Sequence, residues 1–225
     1  MDAPDSLSSA AAGMRVQQNH LAAIAENLAN ANTPGFHARS HAAAGFEDGL
    51  RDSTSTSAAE GSVRRTDVDT DLALIGPGYF CVATPDGVRY TRDGRMARDP
   101  SGVLTDSHGH RVLGSLGPAH FPPSARIASD GRIMVGQKVI DRLRIADVES
   151  PIAANSGYFS APTARVARAS ARVQQGYLED SSVNAIAEMT ALVATQRAFE
   201  ANQKSVQRVD ETLKRAANEI SRVRS

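Results

Sequence analysis

Residues 182–223 read SVNAIAEMTALVATQRAFEANQKSVQRVDETLKRAANEISRV, with no proline or glycine among them. Leu192, Phe199, Val206, Val209, Leu213, Ala216, Ile220 and Val223 follow one another at spacings of three, four or seven. That is the seam of a heptad helix. Thr195 and Asn202 are the polar members of the register. Val183, Ile186, Met189 and Val193 lie on a shifted stripe, which reads as a stutter in the same seam. Asp180, Ser181 and Ser182 offer side-chain oxygens to cap the start. At ~1.5 Å per residue, a helix over this stretch runs about 60 Å.

The other end of the chain carries a matching pattern. From Ser6 to Ala31, the positions Leu7, Ala10, Met14, Gln17, Leu21, Ile24, Leu28 and Ala31 alternate by three and four. Asn32-Thr33-Pro34-Gly35 ends that helix, because proline disfavours helix at the preceding residue and glycine permits a turn. The opposite face is Gln, Asn, His and Ser rather than Lys and Glu, which suits packing against neighbours. Two amphipathic helices from opposite ends of a chain are natural partners. A pair alone leaves apolar surface uncovered, which invites packing between copies.

Between the helices, short β-type runs are separated by the turn dipeptides Asp86-Gly87, Asp93-Gly94, Ser101-Gly102 and Asp130-Gly131. The runs are Tyr79–Thr84, Val88–Arg92, Val103–Thr105, Arg111–Leu113, Arg126–Ala128, Arg132–Val135 and Val139–Ile145. They predict a small antiparallel sheet or barrel. Its expected core begins with Leu72, Leu74, Phe80, Val82, Tyr90, Val103 and Leu104. Val112, Leu113, Ile127, Ile133, Val135, Leu143 and Ile145 complete it. The expected class is α+β: an assembly helix over 1–36, a linker over 37–66, a β domain over 67–150, a return connector over 151–180 and a second assembly helix over 181–225. Within the linker, residues 51–62 are rich in Ser, Thr, Ala and Gly and read as flexible.

Composition narrows the chemistry. The 225 residues hold 25 Lys and Arg against 25 Asp and Glu, so no net field draws the chain to nucleic acid or anionic lipid. On the last helix Arg197, Lys204, Arg208 and Lys214 are interleaved with Glu188, Glu200, Asp210 and Glu211, a salt-bridged face rather than a phosphate-binding one. Aromatic content is 4% with no Trp, which implies a thin core. Cys81 is the one cysteine, flanked by Tyr79-Phe80 and Val82, and reads as a buried thiol. The chain opens with no basic segment followed by an apolar one, and no stretch reaches membrane-spanning length. Any export is therefore expected without a cleaved leader, and no membrane insertion is expected.

Candidate ligand sites fall away one by one. Asp67-Val68-Asp69-Thr70-Asp71 begins like a calcium loop, but Leu72 and Gly78 stand where such a loop needs Gly and Glu. Gly76-Pro77-Gly78 lacks the rest of a dinucleotide fingerprint. His37 and His41, and His108 and His110, are pairs without a neighbouring thiol or carboxylate cluster. No nucleophile elbow, phosphate loop or zincin helix is present. No enzyme activity, cofactor or metal is expected.

Leu28-Ala29-Asn30-Ala31-Asn32-Thr33-Pro34-Gly35-Phe36, with Glu26-Asn27 before it, resembles the N-terminal signature of flagellar rod and hook proteins. Gln175-Gly176-Tyr177-Leu178-Glu179-Asp180-Ser181-Ser182-Val183-Asn184 is similar to that family's approach to its last helix, with Ser182 where Asn is commoner. Glu188-Met189 and Gln196-Arg197-Ala198-Phe199-Glu200-Ala201-Asn202 continue the likeness. Gly76-Pro77-Gly78-Tyr79-Phe80 and Tyr90-Thr91-Arg92-Asp93-Gly94 resemble its β-domain hallmarks.

The resemblance implies a structural subunit of the flagellar basal-body rod that polymerises through its terminal helices and transmits torque from motor to hook. Its implied partners are copies of itself, other rod and hook proteins and the flagellar type III export apparatus. The short stretch between the first helix and the β domain favours the proximal over the distal rod protein. The expected assembly surface on the first helix and its turn is Met14, Leu21, Ile24, Asn27, Leu28, Asn30, Asn32, Pro34, Gly35 and Phe36. On the last helix it is Val183, Asn184, Met189, Leu192, Arg197, Phe199, Asn202, Val206 and Leu213. The reading from another class is a β-domain binding module that its helices merely dimerise.

Overall fold

A computed structural model of the chain describes residues 3–44, 51–56, 59–148, 151–154, 157–161 and 170–223. It divides into two compact units. The helical unit is formed by residues 1–29, 39–55 and 184–225, and the β unit by residues 30–38 and 56–183.

The helical unit holds α1 (Ala3–Ala29), the strands β1 (Arg39–Ala44) and β2 (Arg51–Thr56), and α2 (Ala185–Val223). α1 and α2 lie against each other, and Asn27 near the end of α1 bonds Glu188 near the start of α2, so the two helices run antiparallel. Ala23 and Ile24 are buried, and Leu21 and Leu28 beside them are half-buried. β1 and β2 pair as a two-stranded sheet where the sequence reads as linker. The alternating Ser and Thr of 53–56 that suggested flexibility also suit a strand, because Thr packs well on a pleated surface.

The start of α2 corrects one expectation. Asn184, rather than residues 180–182, caps the helix: its Oδ1 accepts from Ala187 N at 3.2 Å, and its carbonyl accepts from Glu188 N. Ser182 is engaged elsewhere, its Oγ accepting from Ala38 N at 2.9 Å.

The β unit runs β3 (Val63–Arg65), β4 (Leu72–Ile75), β5 (Tyr79–Thr84), β6 (Gly87–Thr91), β7 (Ala97–Arg98), β8 (Leu104–Thr105) and β9 (Arg111–Val112). It continues with β10 (Ala125–Ile127), β11 (Arg132–Val135), β12 (Lys138–Arg142) and β13 (Ile145–Ala146). β14 (Ile152–Ala153), β15 (Phe159–Ser160), β16 (Arg172–Gln175) and β17 (Tyr177–Glu179) close it. An eight-stranded sheet has the order β14-β15-β6-β5-β9-β8-β7, with β13 also on β5. β10-β11-β12 form a three-stranded sheet, and β16 pairs β4 and β17 pairs β3. Every strand pairing described within the β unit is antiparallel.

One expected strand, Val139–Ile145, is split into β12 and β13, because Leu143 leaves the ladder to bridge Gly114 and bond Gly131. The stretch read as a return connector supplies β14 to β17. Its residues Phe159, Val173 and Leu178 are buried, so it belongs to the β unit's core rather than spanning beside it. Leu72, Leu74, Phe80, Val82, Leu104, Val112, Ile127, Ile133 and Leu143 share the main cluster with Phe121 and Val173. Tyr90 sits in a second cluster with Cys81 and Phe159, and Leu113 packs against it. Burial pushes the Cys81 thiol up to about 11, so at neutral pH it is a protonated packing group.

Candidate functional site

Three stretches distant in sequence converge in the β unit: residues 34–38 that follow α1, the end of β6, and residues 178–182 that precede α2. Gly35 N donates to Glu179 O at 2.8 Å, and Ser182 N donates to Phe36 O at 3.0 Å. With Ala38 N on Ser182 Oγ, these bonds zip the two segments side by side. Gly35 has φ of 66°, and a Cβ there would stand 2.3 Å from the Arg92 carbonyl carbon, so only glycine fits.

At the centre lies a buried charge cluster. Arg92, 3% exposed, donates from Nη1 to Gly76 O at 2.8 Å and Gly78 O at 3.0 Å, and from Nη2 to Glu60 Oε1 at 3.0 Å. Its Nε lies 3.3 Å from Glu179 Oε2, an ion pair without hydrogen-bond alignment. Glu179, 1% exposed, accepts on Oε1 from Gly61 N at 3.1 Å, with His37 Nε2 at 3.2 Å from the same oxygen. A Cβ on Gly61 would stand 1.8 Å from Asp180 O, so this backbone approach also requires glycine. The aromatic rim is His37 edge-on to Phe159, Phe159 edge-on to Tyr79, and Arg92 over the Tyr79 ring at 5.8 Å. Burial raises the Tyr79 hydroxyl above its ordinary value, with the Arg92 charge opposing.

This arrangement holds chain segments; it offers nothing resembling a nucleophile with its base. A neutralised, water-excluded ion pair fixes geometry because each charge is costly to bury alone. Among the described residues no group of His, Cys, Asp or Glu could hold a metal ion. His108 and His110, a pair that the sequence shows without a ligand cluster, both place Nδ1 on the Tyr158 hydroxyl, at 3.0 and 2.9 Å. That hydroxyl donates to buried Asp106, and burial plus the Asp106 charge raise its pKa well above the ordinary tyrosine value.

The expected assembly residues fall in both units. In the helical unit Ile24 is buried, Met14, Leu21 and Leu28 are half-buried, and Asn27 is buried. The Asn27 side chain acts as a piece of backbone: Oδ1 accepts from Arg39 N and Nδ2 donates to Arg39 O, both at 2.8 Å. Nδ2 also donates to Glu188 at 2.9 Å, which ties α1 to α2. On α2, Leu192, Phe199 and Val206 are half-buried, Arg197 and Asn202 are exposed, and the Leu213 side chain lies outside the described residues.

Met189 is exposed with Ile186 and Val193. These residues form an exposed apolar stripe beside the half-buried heptad register. In the β unit, Asn30 Oδ1 accepts from Thr33 Oγ1, Pro34, Gly35 and Phe36 are buried, Val183 is half-buried, and Asn32 is exposed. Asn184, at the start of the helical unit, is exposed. The sequence reading missed Arg92, Glu179, Glu60 and His37 as a unit. The available signal was a charged residue at the buried end of an apolar run, as in Leu178-Glu179 and Tyr90-Thr91-Arg92.

Comparison with known proteins agrees with these motifs. Residues 7–37 match the family described as "Flagella basal body rod protein", and residues 73–137 match "Flagellar hook protein FlgE/F/G D1 domain". Residues 174–219 match "Flagellar basal body rod FlgEFG protein C-terminal". The chain is 32% identical over 220 residues to the flagellar basal-body rod protein FlgF of Mesorhizobium japonicum, covering 87% of this chain and 89% of that one. It is 35% identical over 237 residues to FlgF of Escherichia coli (90% and 93% covered). It is 30% identical over 261 residues to the rod protein FlgG of Bacillus subtilis (95% and 98% covered).

Proposed function

The chain belongs to the flagellar basal-body rod protein family and is a structural rod subunit, and we propose that it polymerises through its terminal helices to carry torque from motor to hook. The observation that carries this reading is the match of both terminal segments and the β domain, in order, to rod and hook families. α1 and α2 supply the proposed assembly surface, a coiled-coil-like seam completed by neighbouring copies. The Arg92–Glu179 cluster supports the same reading, because it fixes in one place the segments that follow α1 and precede α2.

The proposed position is the proximal rod. The short connection after α1 supports it, as do FlgF relatives at 35% and 32% identity beside a FlgG relative at 30%. The proposed partners are further copies and other rod and hook subunits, with delivery by the flagellar type III apparatus. A purely mechanical role without a catalytic step is part of the proposal. Among the described residues no helix is long and apolar enough to cross a membrane.

The test is replacement of the native chain in motile cells by Leu28→Ala and by Phe199→Ala. The reading predicts loss of motility and of the chain from purified basal bodies, with the β unit still folded. Normal swimming and normal rods in both variants would contradict the mapping.

A further inference from the structure

The chain is neutral overall, yet its charges are not evenly paired. In most of the β unit the arginines have carboxylates of their own: Arg64 has Asp180, Arg65 has Asp67, Arg95 has Asp93, and Arg92 has Glu60 and Glu179. The β10–β12 sheet and the start of β16 differ. Arg132 of β11 stands directly opposite Arg142 of β12, and Arg126 of β10 stands opposite Met134, two residues along β11 from Arg132. Residues opposite one another, or two apart along a strand, share a face, so three arginines lie on one face of this sheet.

Like charges directly opposite on a sheet repel. One carboxylate stands between them: Asp130 Oδ2 lies 2.7 Å from Arg132 Nε and 3.0 Å from Arg142 Nη2. Asp141 of β12 gives no help, because it is buried and accepts from Ser115 N and Oγ. Arg172 of β16 adds a fourth cation, and among the described residues no carboxylate lies within 4.0 Å of the Arg126 or Arg172 guanidinium. Burial opposes ionisation of Asp130, yet Arg132 and Arg142 hold its carboxyl below its ordinary range. It is therefore charged at neutral pH, and Arg132, Arg142 and Arg172 still outnumber it by two.

Arg142, Arg172 and Asp130 line one cleft of about 330 Å³, together with Ser129 and Ser170. Leu143, Ile145 and Ala171 form its apolar wall. Val173 N donates to Ser129 O at 2.9 Å and Leu143 N to Gly131 O at 2.8 Å, so backbone bonds fix the strands around the Asp130 turn. The cleft is built without a ligand.

We propose that this cleft binds an organic phosphate monoester, its phosphate between Arg142 and Arg172 and its carbon part on Leu143, Ile145 and Ala171. A phosphate monoester carries about −1.5 to −2 at pH 7 and three strong acceptor oxygens, which match the two excess cations. Guanidinium forks and serine hydroxyls are suited donors for those oxygens. A lone carboxylate brings one charge and leaves a cation unanswered. Free phosphate would leave the apolar wall unused. The site lies within the β unit and does not rest on the rod-subunit reading, so its failure leaves that reading intact.

Isothermal titration calorimetry of the full chain with glycerol 3-phosphate, inorganic phosphate and acetate, at neutral pH and constant ionic strength, tests this. Saturable one-to-one binding is expected for glycerol 3-phosphate, weaker binding for inorganic phosphate and none for acetate. Arg172→Ala, at an exposed position, should weaken binding at least ~10-fold through a lost charged hydrogen bond. Arg98→Ala, outside the cleft, should bind as wild type does. Asp130→Asn removes the competing negative charge and should bind more tightly, a direction that a merely structural Asp130 would not produce.

No saturation with glycerol 3-phosphate would overturn the proposal, as would equal binding by Arg172→Ala and wild type. Tighter binding of inorganic phosphate would overturn the ester, and equal binding of acetate the phosphate. If circular dichroism shows Arg172→Ala unfolded, amide chemical shifts of the wild type replace it. Glycerol 3-phosphate is expected to move Ser129, Asp130 and Ala171, and unmoved signals there would overturn the site.

Discussion

Gly35 shows how much one residue settles. Its left-handed backbone lets the chain press against the Arg92 carbonyl, at a separation no side chain permits. Gly35→Ala should therefore unfold the β unit at a markedly lower temperature, a loss of more than the roughly 1 kcal/mol expected where a left-handed glycine alone is replaced. Thermal melting by circular dichroism checks this. For the buried pair, Arg92→Met or Glu179→Gln alone should cost roughly 3–5 kcal/mol, because each leaves a charge or polar group without its partner. The double variant should cost less than the two singles together, and a double-mutant cycle in urea measures the difference.

Tyr158 adds a pH signature. Its hydroxyl holds its proton more tightly in the folded protein than in the unfolded chain, through burial and Asp106. The stability it contributes is complete below the unfolded tyrosine value of about 10 and is lost as pH rises beyond it. Tyr158→Phe should be less stable by roughly 1–3 kcal/mol at pH 8 through the lost bond to Asp106. The gap from wild type should narrow above pH ~10, which urea denaturation across pH 8–11 would show.

At the scale of elements, α2 carries a half-buried apolar register and an exposed apolar stripe. Leu192 and Phe199 lie on the half-buried register, so truncating either should loosen the helix pair within one chain. Phe199→Ala is expected to cost roughly 3–5 kcal/mol of helix-pair stability. Hydrogen exchange should show α1 and α2 amides losing protection while β5 and β6 keep theirs. Equal loss across both units would contradict the separation.

Much of this was legible in the sequence. The heptad spacing announced both helices, and the Asp-Gly dipeptides and apolar runs announced most of the central strands and the core around Phe80 and Leu104. The strands of residues 151–179 were hidden because Pro151 and Gly157 punctuate them, while their burial depends on partners such as β4 and β3 that lie a hundred residues away. The charge cluster was hidden for the same reason. Nothing local to Arg92 names Glu179, since the chain brings them together only through long-range pairing. Periodicity set the two stripes of α2 apart, but it reports apolar positions and not which neighbour covers them.

At the scale of the molecule, the chain is a β unit and a helical unit, each made from both halves of the sequence. Such interleaving means that neither end folds to its final form before the other arrives. The central claim is that this chain is a rod subunit, and immunogold electron microscopy of purified basal bodies tests it most directly. The account predicts label along the rod in wild-type cells and its loss in Phe199→Ala cells. Unlabelled rods in motile wild-type cells that contain the chain elsewhere would contradict it.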